Sequence, residues 1–81
     1  MEKIIHVHYF ALLREERGLS QETITTTAHN VQELYLELKQ KFGFRLNVDI
    51  LRVAVNNEFK FWETPLHNND HVVFIPPVAG G

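Results

Sequence analysis

The sequence contains no cysteine. Without a thiol, the chain forms no disulfide, builds no cysteine-based zinc site and offers no thiol nucleophile of its own, which suits a reducing compartment. Long apolar runs are also missing: none approaches the roughly 18 residues of a membrane span, and the N-terminal residues 1–6 lack the apolar centre of a signal peptide. The eight basic residues are scattered singly and form no stripe that would follow phosphates. We therefore expect a cytoplasmic protein with neither a membrane nor a nucleic acid as partner.

The chain has 81 residues, of which 44% are hydrophobic and 22% charged. This composition is typical of a folded soluble domain and argues against disorder. A chain this short buries only about 60 to 65 per cent of its unfolded surface, so its core is small. We predict a single domain over residues 1–81, with an extended C-terminal tail at about residues 76–81.

The N-terminal third has the alternating pattern of two strands. Residues 3–10 alternate between two faces, and the β-branched threonines of residues 21–27 favour a second strand. Residues 11–17 are rich in helix formers but too few for a stable helix, and Gly18 stops them, so we expect a tight, turn-like connection. The two strands then pair as a hairpin.

The middle of the chain has the signals of one main helix. Asn30 suits the N-cap, and Glu33 three residues later can complete a capping box. Gly43 supplies the left-handed position that ends many helices, so the helix is predicted over residues 31–42, with Glu37 and Lys41 as an i,i+4 pair. The apolar side chains recur at helical spacing and are Val31, Leu34, Tyr35, Leu38 and Phe42.

The C-terminal half has the pattern of three further strands. We predict them at residues 51–55, 59–61 and 71–75, with a turn at Asn56-Asn57 and another at residues 68–70. The resulting order is β-β-α-β-β-β. It is the order of an α+β, ubiquitin-like β-grasp fold, in which a mixed sheet of four to five strands packs against one main helix.

The last six residues are the most informative. The apolar run 72–75 leads into Pro76-Pro77, which ends a strand and favours an extended, stiff exit. Gly80 and Gly81 then carry the terminal carboxylate on a thread without side chains, slim enough to enter a narrow active site. The alternative is a frayed end without function. We favour the first interpretation, because the strand and the two prolines project the tail.

Two stretches resemble a known family over the whole length of the chain. The first is Val7-His8-Tyr9-Phe10-Ala11-Leu12-Leu13-Arg14-Glu15, and the second runs through Val53-Ala54-Val55-Asn56-Asn57-Glu58 to the ending Pro-Pro-Val-Ala-Gly-Gly. They are similar to the small subunits of molybdopterin synthases, which are β-grasp sulfur carriers. The sequence departs from the family at Asn69, since the family usually has glycine immediately before the aspartate of that turn.

The resemblance implies that chemistry is done to Gly81, with Gly80 giving access. An adenylating enzyme related to ubiquitin E1 proteins would activate the Gly81 carboxylate with ATP, and a sulfur donor would convert it to a thiocarboxylate. The tail would then enter the large catalytic subunit of the synthase, which passes the sulfur to cyclic pyranopterin monophosphate. The chain would thus be a non-catalytic sulfur-donor subunit that binds no cofactor itself. The alternatives are a sulfur carrier of thiamine biosynthesis, a ubiquitin-related protein modifier and a plain interaction module.

A carrier must also dock on its partners. If Val72 and Phe74 face the helix, Val73 and Ile75 face outward beside Phe10 and form an apolar docking surface. The alternative is that Phe10 and Ile75 are half-buried under a loop. The predicted partner-binding residues are Phe10, Arg14, Val73, Ile75, Pro76, Pro77, Val78 and Ala79.

Histidines and aromatic residues elsewhere have simpler interpretations. His6 and His8 share a strand face and are a possible metal pair, but no third ligand is indicated nearby in the sequence, so we expect surface histidines and predict no metal site. Phe61 and Trp62 are expected to complete the edge of the core rather than to form a binding platform.

Overall fold

The computed structural model describes residues 1–77. Val78, Ala79, Gly80 and Gly81, on which the predicted tail chemistry and two of the predicted docking contacts fall, lie outside the described residues. The strands and helices are β1 (Lys3–Tyr9), α1 (Ala11–Arg17), β2 (Gln21–Thr26), α2 (Val31–Phe42), a short 3₁₀ helix (Val48–Ile50), β3 (Arg52–Val55), β4 (Glu58–Lys60) and β5 (His71–Ile75).

The five strands form one mixed sheet in the order β2-β1-β5-β3-β4. β1 and β5 pair in parallel at its centre, and the other neighbours are antiparallel. The predicted antiparallel pairing of the first two strands is confirmed, and so is the α+β fold with one main helix. The last strand, at the C-terminal end of the chain, therefore lies in the middle of the sheet.

The core lies between α2 and the inner face of the sheet. The helix contributes the predicted apolar stripe, of which only Phe42 is partly exposed. Facing it, Phe74 is fully buried and its ring centroid lies 5.1 Å from that of Tyr35 and 6.1 Å from that of Trp62. Trp62 thus completes the core edge as expected, whereas Phe61 is 82% exposed, so that prediction was wrong for Phe61.

The ends of α2 follow the predicted caps with one change. The Asn30 side chain accepts a hydrogen bond from the Glu33 backbone N–H at 2.8 Å, and Gly43 ends the helix at φ 72°. The Glu33 carboxylate accepts from the His29 backbone N–H at 2.9 Å, one residue earlier than a capping box requires.

The predicted pair of Glu37 and Lys41 is absent from the ion pairs among residues 1–77. The Glu37 carboxylate instead accepts a hydrogen bond from the Thr26 hydroxyl at 2.7 Å, which ties α2 to β2. The carboxylate thus makes a contact across the fold in place of one along the helix.

Residues 11–17 form a helix, so the prediction of a turn-like connection was wrong. α1 is too short to be stable in isolation, but its Leu13 is fully buried in the core. Gly18 takes φ 81° and its N–H donates to the Arg14 carbonyl at 2.9 Å, which closes the last turn. Burial of Leu13 provides the stability that the length of the segment does not.

The tight turns use asparagine in the left-handed region. Asn56 and Asn57 have φ of 51° and 71°, the signature of a two-residue turn that fits the twist of a hairpin. The turn pairs Val55 directly with Glu58, so β4 begins one residue earlier than predicted. Asn69, at the position where the family usually has glycine, has φ 70°.

Candidate functional site: the surface around the exit of the tail

Pro76 and Pro77 follow directly after the end of β5. Val72 and Phe74 are fully buried towards α2, while Val73 and Ile75 point to the other face and are partly exposed, as predicted. Pro76 is buried and Pro77 is exposed. Because proline has no backbone N–H, the pair cannot extend the ladder, and the chain leaves the sheet here.

A cavity of about 780 Å³ lies between the start of α1 and this exit. Its lining is largely apolar, with the charged side chains of Arg14 and Glu15 among it. The residues that line it are Phe10, Ala11, Leu12, Arg14, Glu15, Leu46, Ile75, Pro76 and Pro77. We call this cavity the tail groove.

Phe10 joins the tail groove to the outer face of the sheet. Its side chain is 49% exposed and also lines a second cavity of about 380 Å³, together with Val73, His8, His71 and the Asn56-Asn57 turn. The described residues predicted to bind partners, which are Phe10, Arg14, Val73, Ile75, Pro76 and Pro77, are thus brought together around one point. Phe10, at 49% exposed, and the partly exposed Ile75 fit the alternative of half-buried side chains as well. That a partner docks here stays a prediction.

Side chains behind α1 fix its position beside the groove. The Glu22 carboxylate accepts hydrogen bonds from the Tyr9 hydroxyl at 2.7 Å and from Arg17 Nε and Nη2, both at 2.8 Å. The Arg17 guanidinium also lies 3.9 Å from the ring centroid of Phe42. These contacts link β1, α1, β2 and α2, so the groove wall formed by α1 is anchored in the fold.

The same contacts shift the pKa values of the groups involved. Hydrogen bonds from Arg17 lower the pKa of Glu22, and burial, followed by the bond to Glu22, raises the pKa of Tyr9. Burial also raises the pKa of Tyr35 to about 12; its hydroxyl donates to the Leu46 carbonyl at 2.7 Å and holds the floor of the groove. At neutral pH the ion pair of Arg17 with Glu22 is therefore charged, and the hydroxyls of Tyr9 and Tyr35 keep the protons that they donate.

The start of α1 contains an unusual backbone. Ala11 has φ 51°, a left-handed conformation that side chains other than glycine seldom adopt. It follows Phe10 directly, and it turns the chain from β1 into α1. The observed outlier lies on the wall of the tail groove, where the chain has to change direction within one residue.

Sequence reasoning missed two apolar residues that line the tail groove and a third, exposed one elsewhere on the outer face of the sheet. Leu12 and Leu46 line the tail groove, and Leu12 was overlooked because its segment was expected to be a turn. Phe59 is 69% exposed and lies opposite Ala54 on the outer face. The two-residue turn at Asn56-Asn57 fixes that register, so the sequence did contain the signal for Phe59.

The described part of the chain, residues 1–77, has no helix long and apolar enough to cross a membrane.

Comparisons with known proteins agree with this architecture. The chain matches the ThiS family over residues 7–81. It is 32% identical over 81 residues to the molybdopterin synthase sulfur carrier subunit of Haemophilus influenzae, covering 96% of this chain and all of the relative.

Two solved structures are similar as well. One is the complex of subunits 1 and 2 of the molybdopterin-converting factor from Helicobacter pylori, with a TM-score of 0.64, 26% identity and coverage of 96% of this chain and 99% of that one. The other is the small archaeal modifier SAMP1 from Haloferax volcanii, with a TM-score of 0.79, 20% identity and the same two coverages; at that identity it shows the fold alone. The predicted resemblance to the small subunit of molybdopterin synthase is confirmed, and the chain belongs to the ThiS family.

Proposed function

We propose that this chain is the sulfur carrier subunit of a molybdopterin synthase. The observation that carries the proposal is the 32% identity to a molybdopterin synthase sulfur carrier subunit over that protein's whole length. The position of β5 at the centre of the sheet supports it, because Pro76 and Pro77, which follow this strand, lie beside an apolar groove.

The first step of the proposed cycle activates the terminal carboxylate. A carboxylate is a poor electrophile because its leaving group would be oxide. The Gly81 carboxylate attacks the α-phosphorus of ATP on an E1-like adenylating enzyme, pyrophosphate leaves, and the resulting acyl-adenylate has AMP as a good leaving group. A sulfur donor displaces AMP and leaves Gly81 as a thiocarboxylate. ATP is therefore bound by the partner, and this chain binds no cofactor of its own.

The second step delivers the sulfur. The tail enters the large catalytic subunit, and the thiocarboxylate sulfur is transferred to cyclic pyranopterin monophosphate; two transfers build the dithiolene of molybdopterin. The carrier returns as a carboxylate and is charged again. The acid, base and anion-binding groups belong to the partners in this scheme.

The described residues would supply the docking surface for both steps. Apolar side chains clustered around an exit point are typical of interfaces, and Phe10 has the exposed aromatic surface that such interfaces use as an anchor. Arg14 stands at the rim, where a charge steers association more than it adds to affinity.

The test is the intact mass of the tag-free chain after incubation with its adenylating enzyme, ATP and a sulfur source. We expect a gain equal to the replacement of one oxygen by sulfur. The chain lacking Gly81 should show no gain, and a matched surface variant, Glu58→Gln, should gain as the unmodified chain does. An unchanged mass with enzymes that charge another carrier in the same assay would refute the carrier chemistry.

A second assay separates this function from protein modification, the function named for the archaeal neighbour. The chain that carries the thiocarboxylate, incubated with the large subunit and cyclic pyranopterin monophosphate, should yield molybdopterin in proportion to the thiocarboxylate consumed. Isopeptide-linked products in cells, with no dithiolene formed in vitro, would favour the modifier instead.

A further inference from the structure

A cluster of three histidines lies on the outer face of the sheet. His6 and His8 lie two residues apart on β1 and therefore share one face of the sheet. The parallel pairing of β1 with β5 places His71 directly opposite His6. The ring centroid of His71 lies 4.6 Å from that of His6 and 5.8 Å from that of His8. The third imidazole that the sequence did not indicate is thus supplied by a strand 65 residues further along the chain.

We propose that His6, His8 and His71 bind a divalent transition-metal ion of the Zn²⁺ class. Imidazole nitrogen is a preferred ligand of such ions, and three protein ligands with one open position are a common arrangement for them. His6 and His8 stand in the His-x-His spacing that puts two imidazoles on one face of a strand.

The two ring separations that involve His71 are compatible with a shared ion. A ligating nitrogen lies about 2.0–2.1 Å from Zn²⁺, so each ring centroid would lie about 3.2 Å from the ion along the same line. Two rings that subtend about 90° to 130° at the ion then have centroids about 4.5 to 5.8 Å apart. Both observed separations fall in this range.

The rings have to rotate before they can bind. The interplanar angles of 23° and 30° show stacked rings, and with the side chains of residues 1–77 as they stand no group of three histidine or acidic residues could hold an ion. His71 is exposed and the other two are partly exposed, so the rings can rotate about the Cβ–Cγ bond; for His6 this rotation breaks the 3.0 Å contact of Nδ1 with the Thr23 hydroxyl. The backbone positions, which cannot rotate, are the part of the site that is already formed.

The site would adjoin the docking surface. His8 and His71 line the same cavity as Phe10 and Val73. An ion held by three imidazoles would present its open position on the face that a partner would cover. The metal proposal does not depend on the carrier chemistry, because it concerns a different set of atoms.

The experiment is calorimetric titration of Zn²⁺ into the tag-free, EDTA-treated chain. Its C-terminus is the ordinary carboxylate and has not been converted to the thiocarboxylate. We expect one equivalent to bind to the unmodified chain. His71→Gln and, separately, His8→Gln should each weaken binding by at least about tenfold.

The two remaining histidines provide matched controls. His29 and His67 lie outside the cluster, so His29→Gln and His67→Gln should leave the dissociation constant unchanged. Far-UV circular dichroism checks that every variant is folded; because His71 is exposed and only its side chain changes, we expect His71→Gln to fold. Absence of Zn²⁺ binding by the unmodified chain, or equal losses in the cluster and control variants, would overturn the proposal.

Discussion

Truncation of Phe10 to alanine should weaken the complex with the large synthase subunit while leaving the fold intact. Phe10 stands between the tail groove and the outer face of the sheet, and 49% of its surface is exposed in the free chain. A phenylalanine has about 200 Å² of surface to bury, so roughly 100 Å² remains for a partner to cover. At about 25 cal/mol per Å² this corresponds to about 2.5 kcal/mol, of which alanine keeps a small part. We expect a loss of about 2 kcal/mol, or roughly a thirtyfold rise in Kd.

Ile4 offers a matched control for this prediction. It lies in β1, which ends directly before Phe10, and it is 43% exposed, but it is at the far end of that strand from Phe10 and Pro76. Ile4→Ala should therefore change Kd by less than about twofold. The two variants are compared by surface plasmon resonance against the immobilised large subunit, after urea titrations confirm that both are folded.

The outcome distinguishes a localised docking surface from non-specific hydrophobic binding. A change below about threefold for Phe10→Ala would refute the assignment of Phe10 as an anchor. Equal losses for both variants would refute the placement of the interface around the tail exit, because Ile4 would then contribute as much as Phe10. An Arg14→Ala variant should act mainly on the association rate, and its effect should shrink at high salt.

Three further predictions concern the scaffold behind this surface. Glu22→Gln should lower the free energy of unfolding by about 2 kcal/mol at neutral pH in urea titrations, since Glu22 accepts two charged hydrogen bonds from Arg17. Because the pKa of Glu22 is lowered in the fold, its contribution is present above the ordinary value near 4.5 and lost as the pH falls below it. A difference in unfolding free energy between the two chains that persists in acid would contradict the assignment. The free energy of unfolding should also fall above about pH 10, by roughly 1.4 kcal/mol per pH unit for each tyrosine. The reason is that Tyr35, with its pKa raised to about 12, and Tyr9 stay protonated in the fold after the unfolded chain has ionised. Tyr35→Phe should remove part of the loss, and a free energy of unfolding that stays constant from about pH 9 to 11 would argue against this prediction. Asn69→Ala should lower the thermal midpoint, because holding alanine in the left-handed conformation of this position, at φ 70°, costs about 1 kcal/mol. Asn69→Gly should keep or raise the midpoint. Equal midpoints for the two variants would show that the turn relaxes.

Local patterns were sufficient for the elements with strong signals. The cap at Asn30, the apolar spacing and the glycine at position 43 gave the limits of α2 to the residue, and the alternation before Pro76 gave those of β5. The ending of the chain indicated the family before any fold was known. In each case the signal lies within a few residues of the feature it specifies.

The partners of the side chains followed from tertiary contacts. Glu33 and Glu37 each have a nearby residue that fits a local rule, yet one bonds to His29 and the other to Thr26. Their carboxylates can reach several donors: Glu37 bonds across the fold to β2, whereas Glu33 bonds locally to the backbone N–H one residue before the predicted one. Sequence spacing lists the possible pairs but does not rank them.

The sequence by itself determined the main helix and the last strand, because these depend on short-range periodicity and on residue type. The tertiary structure decided three other features: that residues 11–17 form a helix, that this helix and the tail exit enclose a groove, and that His71 lies opposite His6. Each of them depends on contacts between residues far apart in the chain. Burial of Leu13 and the parallel register of β1 with β5 exist only once the sheet has formed, so no local pattern specifies them.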